Sequence, residues 1–164
     1  MSSILRASVY SIGFAFLLSV STVSHADTVA GTSELSVYGT ATHQSGDTFA
    51  FVNIDYGRFF TDQLRGIFGI SVFGSTFGDG SINTGARAGF AYDFRPQGNT
   101  AYVGATAFVA DVSEANDTLF GYVFLGYRHW VGENAAFFYQ AGYERNFEFD
   151  FDRVRAEFGL TLFF

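Results

Sequence analysis

The most constraining stretch of this chain is its end. Val154, Ala156, Phe158, Leu160, Leu162 and Phe164 are apolar, and the residues between them (Arg153, Arg155, Glu157, Gly159 and Thr161) are charged, polar or small. A strict period of two over about eleven residues describes a strand with one face in an apolar medium and the other against polar groups. The strand runs to the terminal Phe163-Phe164 without a cap or tail.

Composition agrees with a chain whose apolar surface is carried by alternation. Of 164 residues, 22 are Phe and 19 are Gly, there is one Pro, and Cys and Lys are absent. Phe and Gly enrichment with 15% charged residues is unusual for a soluble domain. Beyond the N-terminus, no stretch has the eighteen or so consecutive apolar residues of a membrane-spanning helix. Alternating strands closed into a barrel are the other structure that can cross a bilayer. Zero Cys excludes a disulfide framework and a cysteine metal site. All nine basic residues are Arg against 16 acids, a balance that argues against nucleic acid as a partner.

Residues 1–26 read as a secretory signal peptide. Arg6 supplies the positive start, Ile12 to Val20 the apolar core, and Ser24-His25-Ala26 a small-x-small cleavage site, so the exported chain is expected to start at Asp27. Residues 27–164 then form one domain. Seven turn or loop clusters divide it into eight alternating segments. The strands are expected at Thr32–His43, Thr48–Phe59, Leu64–Phe73, Ile82–Phe94, Thr100–Ala110, Thr118–Trp130, Ala135–Arg145 and in the terminal stretch. The fifth has small apolar residues on both faces and no clear facing. In the sixth, Leu119, Val123, Leu125 and Tyr127 are assigned outward, with Phe120, Tyr122 and Phe124 as the competing face.

An internal repeat links these segments. Tyr56, Tyr92 and Tyr127 each precede an aromatic strand end, a short polar turn and a new strand, at spacings of 36 and 35 residues. This is the behaviour of a closed up-and-down meander with both termini at one end. Phe59, Phe60, Tyr92, Phe94, Tyr127, Trp130 and Phe164 gather near that end and are expected to form an aromatic girdle at headgroup level. The fold class expected is therefore all-β: an eight-stranded antiparallel up-and-down transmembrane barrel.

The terminal Phe164 with Leu162, Leu160 and Phe158 alternating inward from it resembles the ending of bacterial outer-membrane β-barrel proteins. The whole of residues 27–164 resembles the small eight-stranded barrels of the OmpA/OmpX type. The resemblance implies a Gram-negative outer-membrane location among lipid and lipopolysaccharide. It also implies that the last strand (Phe158, Leu160, Leu162 and Phe164) is the signal read by the barrel-assembly machinery. A monomer is expected.

Eight strands enclose an interior that side chains can fill. The inward polar set is expected to include Glu34, Asp55, Arg65, Arg87, Glu144, Arg155 and Glu157, whose mixed signs predict an internal salt-bridge network. A paired, packed lumen makes a plug, giving a structural or envelope role; an Arg–Glu pair that opens would instead make a narrow porin-like channel. A third reading, an enzyme acting on lipid A or phospholipid, would need a nucleophile, a base and an acid. His43, Ser45 and Asp47 lie together, and the H-x-S arrangement resembles the lipid A deacylase family, but no acid can be placed. His129 lies at a strand end. The chain is accordingly read as having no catalytic residues, no cofactor and no metal site. The acids Asp47, Asp79, Asp111, Glu114, Asp117, Glu148 and Asp150 make an acidic outer rim near Arg145, which is positioned to meet a lipid phosphate.

Overall fold

The structure, a computed structural model, describes residues 27–44, 47–75, 82–110, 118–148 and 152–164. The leader and its cleavage site lie outside the described residues. Eight strands follow in order: β1 (Ser33–Gln44), β2 (Asp47–Phe59), β3 (Leu64–Ser75), β4 (Ile82–Asp93), β5 (Thr100–Ala110), β6 (Thr118–Gly132), β7 (Ala135–Asn146) and β8 (Asp152–Phe163). Each pairs antiparallel with its neighbours in sequence, and β8 pairs with β1 to close the barrel. No helix among the described residues is long and apolar enough to cross a membrane.

The ends of several strands run further than expected. Gln44 and Asp47 pair with each other as the last rung of β1–β2, so both ends of the cluster expected as a turn are strand. β3 continues through Gly74 and Ser75 because both find ladder partners on β2. β6 passes Trp130 through a bulge before Gly132.

The alternation sets the facing. On β8, Val154, Phe158 and Leu162 are exposed outside, while Glu157, Thr161 and Phe163 are buried inside. The two ambiguous strands are fixed by their tyrosines. Tyr102 and Tyr122 are buried in the lumen, where their hydroxyls donate to Gln140 Oε1 (3.0 Å) and to the Arg155 carbonyl (3.4 Å). A buried phenol needs such a partner, and lipid offers none. Val103 on β5 and Val123 and Leu125 on β6 therefore point outward, as assigned for β6. Small residues make room for large neighbours: a Cβ at Gly126 would strike the Tyr102 ring, and one at Gly57 would lie 2.5 Å from Glu34 Cγ.

Asp27, Phe164 and the three short connections, 60–63, 94–99 and 133–134, sit at one end. There Ser33 and Phe164 exchange two backbone hydrogen bonds, at 2.9 and 3.0 Å. The segment before β1 is a strap over this end. Thr28 is buried; its N–H and hydroxyl both donate to the Pro96 carbonyl (2.9 and 2.8 Å), and the hydroxyl also reaches the Asp62 carbonyl (3.1 Å). Asp27 bridges to Gln97. The strap thus joins β1 to the turn that starts β5, on the opposite side of an eight-stranded ring. Gly31 and Gly98 have φ of 94° and 65°, the left-handed conformation that glycine adopts most easily.

Candidate functional site

The lumen is organised in layers. At the turn end lies an apolar floor of Phe59, Trp130, Ala136 and Phe163, with the Trp130 and Phe163 rings 4.3 Å apart. Phe59 and Trp130 were expected in the outer aromatic girdle, and here the structure corrects the sequence reading. Both have inward parity, Phe59 with Asp55 and Trp130 with Arg128, and their rings fill the closed end of the barrel. Phe60, Tyr92, Phe94 and Phe164 are exposed outside and Tyr127 partly so; Tyr127 stacks on Tyr139 at 5.6 Å.

Above the floor is a ring of four charges. Arg65 donates to both Glu34 oxygens (2.5 and 2.6 Å). Arg128 donates to Glu34 Oε2 (3.1 Å) and to Asp93 Oδ2 (2.6 Å). The Arg65–Asp93 edge is longest, at 3.9 Å. Glu34 comes from β1, Arg65 from β3, Asp93 from β4 and Arg128 from β6, so the ring ties together strands that are mostly not neighbours. Charge-assisted bonds of this length are the strong ones. The guanidiniums also lie on aromatic faces: Arg65 is 4.9 Å from the Tyr102 ring centre and Arg128 is 5.0 Å from that of Phe163.

The middle layer pairs Arg87 with Asp55 at 2.6 Å. Tyr38 donates to the same carboxylate oxygen at 2.7 Å and lies under the Arg87 guanidinium at 4.9 Å. The third layer, toward the long connections, joins Arg153 and Arg155 to the two oxygens of Glu144 at 2.5 Å each. Arg155 continues to Glu157 (3.0 Å), which also accepts from Gln140 (2.6 Å) and Asn53 (3.3 Å). Ser71 donates to Asn53 in turn.

All seven of the expected lumen residues (Glu34, Asp55, Arg65, Arg87, Glu144, Arg155 and Glu157) thus face inward and take part in ion pairs. Sequence reasoning missed Arg128, Asp93 and Arg153 as members. With them, the described lumen residues include five carboxylates (Glu34, Asp55, Asp93, Glu144 and Glu157) and five guanidiniums (Arg65, Arg87, Arg128, Arg153 and Arg155), which balance one another in charge. A cavity of about 20 Å³ remains between Glu34, Asp55, Arg65, Arg87, Arg128 and Gln140. It has room for one or two water molecules and for no larger solute.

The outside is a different solvent problem. Val37, Val52, Ile54, Phe68, Ile70, Phe90, Val123, Leu125, Phe137, Tyr139, Val154 and Phe158 are all exposed around the circumference. On β8 the outward set Val154 to Phe164 spans ten residue steps, which is roughly 25 Å of height at a tilt of about 40°. That equals the apolar band of transmembrane barrels. Charge on the described outer wall is confined to its ends: Arg58 near the turns, and Arg145 with Asp152 near the long connections, where they sit 4.0 Å apart. Arg145 is at the rim, as read from the sequence. The acids Asp79, Asp111, Glu114, Asp117 and Asp150 lie outside the described residues, as do Ser45 and the side chains of His43 and Asp47. No metal-binding cluster occurs among the described residues.

No family model matches the chain, and no curated protein does. Among solved structures, the crystal structure of the N-terminal β-barrel domain of Pseudomonas aeruginosa OprF superposes with a TM-score of 0.60 at 15% identity, covering 82% of this chain and 98% of that one. At that identity the likeness concerns architecture: the chain shares the β-barrel fold of that domain.

Proposed function

We propose that this chain is an integral protein of the bacterial outer membrane whose role in the envelope is structural, with a lumen that is a packed plug. The observation that carries the reading is the three-layered lumen of paired charges closed by an aromatic floor, inside a wall whose described outer face is an apolar band with charge only at its ends. A circumferential apolar surface of this extent has no stable place in water. The likeness to the OprF β-barrel domain agrees with the barrel fold on which this reading rests. Lipid and lipopolysaccharide are then its surroundings. The outward stripe Phe158, Leu160, Leu162 and Phe164 serves as the segment read by the barrel-assembly machinery, and the barrel works as a monomer without catalysis.

The test is single-channel conductance of the purified protein in a planar bilayer. A silent barrel that still shows the heat-dependent gel mobility of a folded one supports the plug. Steady conductance that changes on Arg87→Gln or Glu144→Gln would make the ion pairs part of a water path, and the narrow-channel reading would replace this one.

A further inference from the structure

Two arginines stand on the outward face of the described strands, and their surroundings differ. Arg145, near the long connections, has the Asp152 carboxylate 4.0 Å away on the next strand. Arg58, at the turn end of β2, is exposed and takes part in none of the ion pairs among the described residues. The acid of the adjoining turn, Asp62, accepts the Ala30 N–H at 3.0 Å instead. A guanidinium on the outside of a membrane barrel without a carboxylate beside it must find its anion elsewhere.

The groups around Arg58 say which anion fits. The ladders place Ser33 of β1 and Gly66 of β3 beside it in one row, with Phe164 of β8 beyond Ser33. The next row toward the middle of the wall holds Leu35, Tyr56 and Phe68. The Tyr56 hydroxyl hydrogen-bonds Ser33 Oγ at 3.0 Å and lies against the Arg58 guanidinium. That bond uses one of the two hydroxyl hydrogens, so the other remains for a further acceptor. The Phe60 ring lies over Gly66, where a Cβ would come within 2.9 Å of it. Phe60 and Phe164 belong to the exposed aromatics that edge the apolar band at the turn end. A guanidinium at this height meets headgroups and not hydrocarbon. Its planar fork matches the two free oxygens of a phosphodiester, a fit that an ammonium lacks.

We propose that Ser33, Tyr56 and Arg58 form a binding site for the phosphodiester of a glycerophospholipid in the leaflet at the turn end. The proposal rests on the membrane location argued above. Arg58 holds two phosphoryl oxygens, and the Ser33–Tyr56 hydroxyl pair donates one hydrogen bond to the same group. The acyl chains then run toward the midplane over Ile54 and Phe68, both exposed on the outer wall. A single positive charge without a carboxylate favours an anionic headgroup over a zwitterionic one, whose own ammonium already balances its phosphate.

The test is native mass spectrometry of the full-length protein released from mixed micelles, with phosphatidylglycerol and phosphatidylcholine of identical chains as probes. Folding and insertion into vesicles are checked for each variant by gel mobility before and after heating. The expected result is one phosphatidylglycerol retained, about tenfold more tightly than phosphatidylcholine and about tenfold more weakly after Arg58→Gln. Arg58→Lys, which keeps the charge without the fork, should fall between the two, and Tyr56→Phe should lose about threefold. Arg95→Gln, which removes an exposed charge from a turn at the same end, should change nothing. If Arg58→Gln does not fold, Arg58→Lys and Tyr56→Phe carry the same comparison. Equal retention by the wild type and the folded, inserted variants would overturn the site and leave the membrane reading standing. An equal loss on Arg95→Gln would reduce the site to general charge and overturn it too. Displacement of the lipid by an equal concentration of inorganic phosphate would assign the site to a free anion, against the proposal. A folded wild-type barrel that fails to enter vesicles would overturn the membrane reading and this site with it.

Discussion

Replacing Arg128 with Met separates a packed lumen from a wet one. Arg128 is 1% exposed, donates to Asp93 and Glu34, and covers the Phe163 ring. Met keeps much of the volume and removes the charge, leaving the ring with two carboxylates and only Arg65. Breaking a buried pair by removing one partner costs about 3–5 kcal/mol, because the survivor keeps its desolvation without its compensation. With an m-value of about 2 kcal/mol/M in urea, the midpoint should fall by roughly 2 M. The double variant Arg128→Met/Asp93→Asn leaves Glu34 paired with Arg65 and should recover most of that loss, since a neutral replacement of a buried pair is often harmless. The assay is urea unfolding in lipid vesicles followed by fluorescence of Trp130, the chain's one tryptophan, which sits in the floor beneath the ring. A loss below about 1 kcal/mol for the single variant would be the value of a solvent-screened surface pair. That outcome, with no recovery in the double variant, would refute a dry lumen.

The other expectations can be checked in the same unfolding assay. Arg153→Met, at a side chain 31% exposed, should cost no more than about 1 kcal/mol; a loss equal to that of Arg128→Met would show that the third layer is as dry as the first. Gly126→Ala should cost about 1–3 kcal/mol, because its Cβ meets the Tyr102 ring; an unchanged midpoint would show that the ring has room to move. Phe158→Arg, on the outer wall beside Gly39 and Tyr139, should cost roughly 2–4 kcal/mol in vesicles if this height lies near the bilayer midplane, and a neutral result would argue against a lipid-facing wall. Thr28→Val removes a hydroxyl that bonds two turns and should lower stability by about 1 kcal/mol, which a midpoint unchanged within error would contradict.

The barrel itself was legible because its alternation is a one-dimensional property. Facing on β8 or β4 can be counted along the sequence, and the structure agrees residue by residue. The ion network was legible only in its membership. Glu34 and Arg65 could both be placed inward, but their meeting across 31 residues depends on tilt and stagger, which no local pattern records. Arg128 was missed because it sits in an Arg-His-Trp run that reads as a strand end at an interface. Its parity with Phe124 and Gly126 was the available signal. Phe59 and Trp130 were misplaced for a related reason: nearness to a strand end was allowed to outweigh parity.

The ring of Glu34, Arg65, Asp93 and Arg128 also has a consequence for the order of assembly. Its members come from β1, β3, β4 and β6, and only Arg65 and Asp93 lie on adjacent strands. Any sheet still lacking either end of that span holds an unbalanced charge, which hydrocarbon opposes strongly. Arg128 remains short of one carboxylate until β1 arrives with Glu34, and β1 is held in place by the closing contact with β8. Intermediates with an open sheet are thus penalised inside the bilayer, and the last step relieves the penalty. Insertion and closure become one cooperative event, so a half-built barrel has little tendency to persist in the membrane.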